Sequence, residues 1–161
     1  MPRTWVRDTI SKVGQEVELK GWVHARRDMG KIIFIDLRDK TGLLQIVFAP
    51  KDAGGAYEFA KGLRSEYVVA ITGIVQKRTE KTVNPKLTTG AVEILATDLA
   101  ILNESKTPPF ELDKDTSVVN EEGRWKYRYL DLRRTVMHDN LRLRHEVTFA
   151  IRKYFNEQEF Y

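Results

Sequence analysis

"RRDMGKIIFIDLRDKTGLLQIVF", residues 26–48, is the stretch whose reading decides the fold. Written as a strand, residues 31–38 put Ile33, Ile35 and Leu37 on one face. The other face then carries Ile32, Phe34, Asp36 and Arg38, so a large aromatic points away from the core among charged neighbours. Asp28-Met29-Gly30 before this run and Asp39-Lys40-Thr41-Gly42 after it are polar turns, and residues 43–48 form the next strand.

Working outward, "EVELKGWVHARR" alternates too. Val17, Leu19 and Val23 lie on one side, and Glu16, Glu18, Lys20, Trp22 and His24 on the other. Beyond the third strand, Tyr57, Ala60 and Leu63 recur at helical spacing, which predicts one short helix over 56–64 with Gly62 weakening its last turn. "YVVAITGIVQKR" and "GAVEILATDLAIL" are two more strands around a polar loop, 79–90. Five strands with a helix between the third and fourth is the element order of an OB-fold, a small Greek-key barrel that binds oligonucleotides on the face around its second and third strands. Other small barrels can be written from a similar string.

"NESKTPPFELDKDTS" reads as a linker, with adjacent prolines and polar flanks. In "NLRLRHEVTFAIRKYFNEQEF" the period becomes helical. Leu143, Val147, Ala150, Ile151, Tyr154 and Phe155 form an apolar stripe, with Arg144, Glu146, Thr148, Arg152 and Lys153 mostly elsewhere. The expected division is an OB-fold domain over 1–103, a linker and hinge over 104–135 and a helical segment over 136–161. The stripe lacks a partner and the chain stops soon after it, which reads as a truncation.

Composition limits the chemistry. The 161 residues contain no cysteine, which excludes disulfides, thiolate metal sites and cysteine nucleophiles, and permits a reducing cytosol. No apolar run has signal-peptide or membrane-span character, so a soluble, cytoplasmic chain is expected. Residues 1–102 hold 16 Lys/Arg against 12 Asp/Glu, while the remainder is balanced. That excess suits contact with a phosphate backbone, and an excess so mild is also the ordinary property of a solvated surface. His24, His138 and His145 are scattered, so no metal site is expected. Asp36 and Asp39 flank Arg38 as ion-pairing groups would, and no catalytic constellation is found.

If the turns pair Arg38 with Leu43 and Arg27 with Lys31, Asp36 stands opposite Gln45, and Phe34 opposite both Val47 and His24. Phe34, Gln45, His24 and Arg26 then share the outer face. A ring for stacking, an amide that both donates and accepts, and nearby guanidinium groups are the parts of a reader of one unpaired base. The alternative stands beside it: lone surface aromatics are common, and another segment of the chain can cover Phe34.

"GWVHARRDMGKIIFIDLRDKTGLLQIVF", "RWKYRYLDLRR" and the final helix together resemble bacterial-type aspartyl-tRNA synthetases, in the order and spacing of that family. The resemblance runs from about Thr4 to the last residue, and "YRYLDLRR" separates it from the lysyl and asparaginyl relatives. It implies an anticodon-binding OB-fold, a hinge and the first helix of a class II catalytic domain, an element of the dimer interface (motif 1). It also implies a parent that couples aspartate to aspartate tRNA with ATP and magnesium. Motifs 2 and 3 are absent, so this chain is expected to be inactive alone. Residue by residue, Phe34 matches the aromatic that stacks on the middle anticodon base and Gln45 the amide that bonds it. Arg27 matches an anticodon-contacting arginine, and Glu93 the acidic reader of the first anticodon base. Arg78 and Asn84 fall where further anticodon contacts are expected. Met29 and Lys81 occupy loop positions that influence acceptance of asparagine tRNA. Thr135 stands where the family usually has proline, and Glu159 where it usually has glycine. Other classes of function compatible with the residues are a free-standing single-strand-binding OB module and an interaction fragment whose final helix docks on another protein.

Overall fold

The computed structural model describes residues 2–112 and 119–161; residues 113–118, part of the expected linker, lie outside the described residues. The chain divides into two compact units, Met1–Thr107 and Pro108–Tyr161.

The first unit is a closed barrel. Its strands are β2 (Glu16–Asp28), β3 (Ile33–Asp39), β4 (Gly42–Phe48), β5 (Val68–Lys77) and β6 (Val92–Asn103). The sheet runs β2-β3-β4-β6-β5, and a β2–β5 pairing closes it. Alternation predicts the inward set correctly: Val17, Leu19, Val23, Ile33, Ile35 and Leu37 are all buried in the core. Each such side chain removed from water is worth roughly 1.5–3 kcal/mol. The expected helix is α2 (Gly55–Lys61), and a four-residue helix outside the expected range, α1 (Pro50–Ala53), precedes it; Ala53, Ala56, Ala60 and Leu63 are buried in the core. α2 stops at Gly62, the residue expected to weaken it.

β2 serves two partners. Residues 16–22 pair with β5, residues 22–28 pair with β3, and Trp22 lies opposite both Val68 and Arg38. Where the strand changes partner the backbones come close, and a Cβ on Gly21 would collide with the carbonyl oxygen of Arg38. A bulge between Val23 and Ala25 re-aims the rest of the strand.

The N-terminal residues add two features absent from the sequence reading. β1 (Arg3–Thr4) pairs parallel to β2, and a 3-10 turn over Val6–Ser11 follows it. Asp39, expected to pair with Arg38, is buried and accepts instead from the Val6 N–H at 2.9 Å and from the Thr41 N–H and hydroxyl, each at 2.6 Å. Arg38 grips Glu66 through Nη2 at 2.7 and 2.9 Å and contacts His24 Nδ1 at 3.0 Å.

The second unit is helical: α3 (Glu121–Lys126), α4 (Arg128–Asp131) and α5 (Thr135–Glu157). The expected helix is therefore longer at its start than the apolar stripe. The stripe is exposed throughout. Asp131, the aspartate of "YLDLRR", has a fully buried side chain. It accepts from Arg124 Nε at 3.3 Å, Arg128 Nη1 at 2.8 Å and Arg134 Nη1 at 3.1 Å. Burial alone would raise its pKa, but the hydrogen bonds from Arg124 and Arg134 and the charges of Arg124 and Arg128 outweigh it and hold the carboxyl below its ordinary range.

α5 closes with a Schellman turn. The Phe160 N–H donates to Phe155 O and the Glu159 N–H to Asn156 O, both at 3.0 Å, and the Phe155 and Phe160 rings meet edge to face at 6.0 Å. Glu159 occupies the left-handed position of this turn, with φ 62°. Glycine takes that position without the cost of a Cβ.

Two outcomes follow. The Asp131 share of stability is complete above the unfolded carboxyl value of about 3.9 and is lost as pH falls below it through the depressed folded value. Acid titration followed by far-UV circular dichroism should therefore show an acid-linked loss of helix that Asp131→Asn lacks, with that variant less stable at neutral pH by roughly 3 kcal/mol. Glu159→Gly should stabilise the helical unit by up to about 1 kcal/mol, read as a higher thermal midpoint of the helical signal.

Candidate nucleic-acid interface

The outer face of β3 is built by the pleat. With Ile33, Ile35 and Leu37 buried, Phe34 and Asp36 must point outward, and both are half-buried. On the β4 side the register is the expected one, with Phe34 opposite Val47 and Asp36 opposite Gln45.

On the β2 side the register differs from expectation. Phe34 lies opposite Arg27, not His24, and Asp28 pairs with Ile33. The cause is the turn. Asp28 Oδ1 accepts from the Gly30 N–H at 3.1 Å, the Met29 N–H donates to Ile32 O at 2.9 Å, and Gly30 has φ 78°. These bonds place residues 29–32 in the turn and delay β3 until Ile33. His24 falls in the bulge and goes to Arg38. Arg26 also leaves the expected group: its Nε donates to Ala60 O of α2 at 3.2 Å, and its Nη2 to Asp28.

The corrected register brings a polar row together beside Phe34. Arg27 holds Asp36 in a two-point grip, Nη1 to Oδ2 and Nη2 to Oδ1, both at 2.8 Å. The same Nη2 donates to Gln45 Oε1 at 3.4 Å. Gln45 Nε2 donates to Glu93 Oε2 at 2.8 Å, and Glu93 faces Arg78 Nε at 3.6 Å. Arg78 Nε is buried and makes no hydrogen bond. Charges alternate along the row, so two cations and two carboxylates sit on one face without net charge.

Four of the residues named from sequence, Arg27, Gln45, Arg78 and Glu93, thus stand in one connected row, with Phe34 next to it. Asn84 is used locally in the loop 79–90, where its Oδ1 accepts from the Lys86 N–H at 3.1 Å and its carbonyl from the Leu87 N–H. Met29 and Lys81 stand exposed in their loops. Asp36 is the member that sequence reasoning assigned to the wrong arginine. The signal was present in its position opposite Gln45, but the partner depends on the register of β2. Among the described residues no group of histidines and carboxylates is arranged to hold a metal ion, and no helix is long and apolar enough to cross a membrane. Chemically the face can stack a planar ring, donate and accept at an amide, and meet anionic oxygens with guanidinium groups.

A family model for OB-fold nucleic acid binding domains matches residues 17–102, the whole of this barrel from β2 onward. The chain belongs to the OB-fold nucleic acid binding domain family. Residues 120–161 match a second model, tRNA synthetases class II (D, K and N). Among curated relatives, the aspartate--tRNA ligase of Oceanobacillus iheyensis is 51% identical over 148 residues, covering 92% of this chain and 25% of that protein. The aspartate--tRNA ligase of Staphylococcus aureus is 47% identical over 153 residues, 95% of this chain and 26% of that one. The chain thus spans about a quarter of the length of the curated relatives it matches. Among solved structures, an aspartyl tRNA synthetase from Entamoeba histolytica superposes with a TM-score of 0.85 at 21% identity, covering 99% of this chain and 38% of that one. Asparaginyl-tRNA synthetase from Pyrococcus horikoshii gives 0.81 at 24%, covering 98% and 35%. At such identities the likeness is one of fold.

Within this OB-fold family face, the Gln45–Glu93 bond has a direct test. Gln45→Glu sets a carboxylate against the Glu93 carboxylate. It should lower stability at neutral pH by about 0.5–1 kcal/mol, which urea unfolding of the two proteins measures.

Proposed function

We propose that the barrel reads the anticodon of aspartate tRNA as part of an aspartate–tRNA ligase, with Phe34 as the stacking platform and Gln45, Arg27, Glu93 and Arg78 as its polar readers. One observation carries this: Phe34 stands on the outer face next to an amide held between a guanidinium and a carboxylate, on the strands where OB-folds take oligonucleotides. The near-half identity to curated aspartate--tRNA ligases over almost the whole chain supports the choice of tRNA. Asn84 adds to this set through its loop. Met29 and Lys81, exposed at the rim, tune whether asparagine tRNA is also taken.

The same reading assigns the linker and hinge to 104–135 and the start of the catalytic domain to 136–161, in a cytoplasmic ligase that pairs as a homodimer through α5. Such a ligase activates aspartate with ATP and magnesium. The described residues lack a donor cluster for the metal, so no chemical step is assigned to this chain. ATP–pyrophosphate exchange with aspartate should be absent from it.

Phe34→Ala should leave the fold intact and weaken binding of aspartate tRNA by about 1–3 kcal/mol. A filter-binding or fluorescence titration of wild type and variant measures this. Equal affinities would remove the stacking role. Equal affinity of wild type for aspartate tRNA and for oligouridine, with a steep salt slope, would mark the barrel as a general single-strand binder.

A further inference from the structure

Trp5 is half-buried and carries two cations on its ring. The Arg3 guanidinium carbon lies 3.9 Å from the ring centroid and Lys40 Nζ 4.2 Å from it, and both cationic residues are exposed. Arg3 is in β1 and is tied to β2 through Nη2, which donates to Lys20 O at 2.7 Å. Lys40 is in the turn between β3 and β4. Two bonds dock the segment after Trp5 on that turn. The Val6 N–H donates to Asp39 Oδ2 at 2.9 Å, and the Arg7 N–H to Thr41 Oγ1 at 3.1 Å.

The two cations lack an anion. Both are measured to one centroid, so they can be no further apart than the two distances together, comparable with the screening length of about 8 Å at physiological salt. Like charges at that range repel, and the ring attracts each only weakly at an exposed site. The neighbouring carboxylates are engaged. Glu18, opposite Arg3 in the β1–β2 register, takes Lys20 Nζ at 2.6 Å, and Asp8 faces Arg7 Nε at 3.4 Å. Asp39 is buried and accepts from Val6 and Thr41. Among the described residues neither Arg3 nor Lys40 pairs with a carboxylate, whereas Arg27, Arg38 and Arg78 each face one.

We propose that Arg3 and Lys40, held on Trp5, bind a backbone phosphate of the RNA that the barrel reads, outside the anticodon triplet. The choice of ligand rests on the anticodon-reading function proposed above. A guanidinium offers paired N–H donors to phosphate oxygens and an ammonium a point charge, and an anion between them relieves their repulsion. β3 leads from Phe34 towards Lys40, six residues on, or about 20 Å at the rise of a strand. The phosphate therefore lies several nucleotides from the base on Phe34. It adds affinity and carries no sequence information.

The test uses the full 161-residue chain and the aspartate anticodon stem-loop, titrated across salt. Arg3→Gln with Lys40→Gln should weaken binding about tenfold at about 0.1 M salt and hardly at about 1 M, a fall of about one in the slope of log affinity against log salt. The loss should be the same for a stem-loop with cytosine for the middle uracil, because a phosphate contact reads no base. Methylphosphonates, each removing the charge of one phosphate, should be placed one at a time along the RNA. They should reveal a position outside the triplet that weakens wild type and no longer matters in the double variant. A general loss of positive field would not single out a position. If Arg3→Gln loosens β1, Lys40→Gln decides by the same readings, since Lys40 makes no hydrogen bond or ion pair among the described residues. Wild-type affinity and slope in the folded double variant, or in Lys40→Gln where that decides, would overturn the phosphate site and leave anticodon reading in place. So would the same response to every methylphosphonate in wild type and variant. A wild-type chain that binds the stem-loop no better than oligouridine would overturn anticodon reading instead, and an unchanged slope of the variant on oligouridine would then overturn the site as well.

Discussion

The structure of the first unit depends on one strand doing the work of two. β2 pairs with β5 along its first half and with β3 along its second, exchanging partners at Trp22. That exchange converts an open sheet into a closed barrel and removes its edges. It has local costs, visible as a glycine where Arg38 O leaves no room for a Cβ and a bulge between Val23 and Ala25. The bulge is braced from outside the strand. The Val23 carbonyl accepts from the Glu66 N–H at 2.7 Å, and the Glu66 carboxylate holds Arg38, which in turn meets His24. Glu66 takes a left-handed φ of 66° to do this, an uncommon conformation for a residue with a side chain. The strain lies where the barrel closes, away from the row of Arg27, Gln45 and Glu93.

Past the bulge, the direction of β2 and the length of its turn decide what stands beside Phe34. Because the turn consumes residues 29–32, Arg27 arrives opposite the ring, within reach of Asp36 and Gln45. The resulting row needs no buried lone charge. Its charged members run from a half-exposed Arg27 to a largely buried Arg78, and each faces an opposite charge. Such a surface is pre-arranged: a base that settles on the ring finds groups already oriented. Arg78 Nε is buried beside Glu93 without a hydrogen bond.

The helical unit follows a different logic. Its centre is electrostatic, with a fully buried carboxylate taking hydrogen bonds from three arginines. All three arginines and the aspartate belong to "RWKYRYLDLRR", residues 124–134, so that string functions as a set. α5 extends from this centre with its apolar stripe outward and ends in a Schellman turn whose left-handed residue is Glu159.

Much of this was legible in the residues themselves. Alternation in 31–38, together with a tight turn before the strand 43–48, sets a register that buries Ile35 and Ile46, so Phe34 and Gln45 had to face outward. The helical period of residues 143–155 likewise announced α5. Local sequence determined these because each is set by neighbours a few residues apart. The partner of Asp36, the departure of His24 and Arg26 from the face, and the burial of Asp39 under Val6 were decided only by the tertiary structure. Each depends on a bulge, a turn length or a segment more than thirty residues distant in the chain, such as Val6 from Asp39 or Ala60 from Arg26. Periodicity tells which side of a strand a residue occupies; it does not carry the shift along the strand, and that shift is what chose the neighbours.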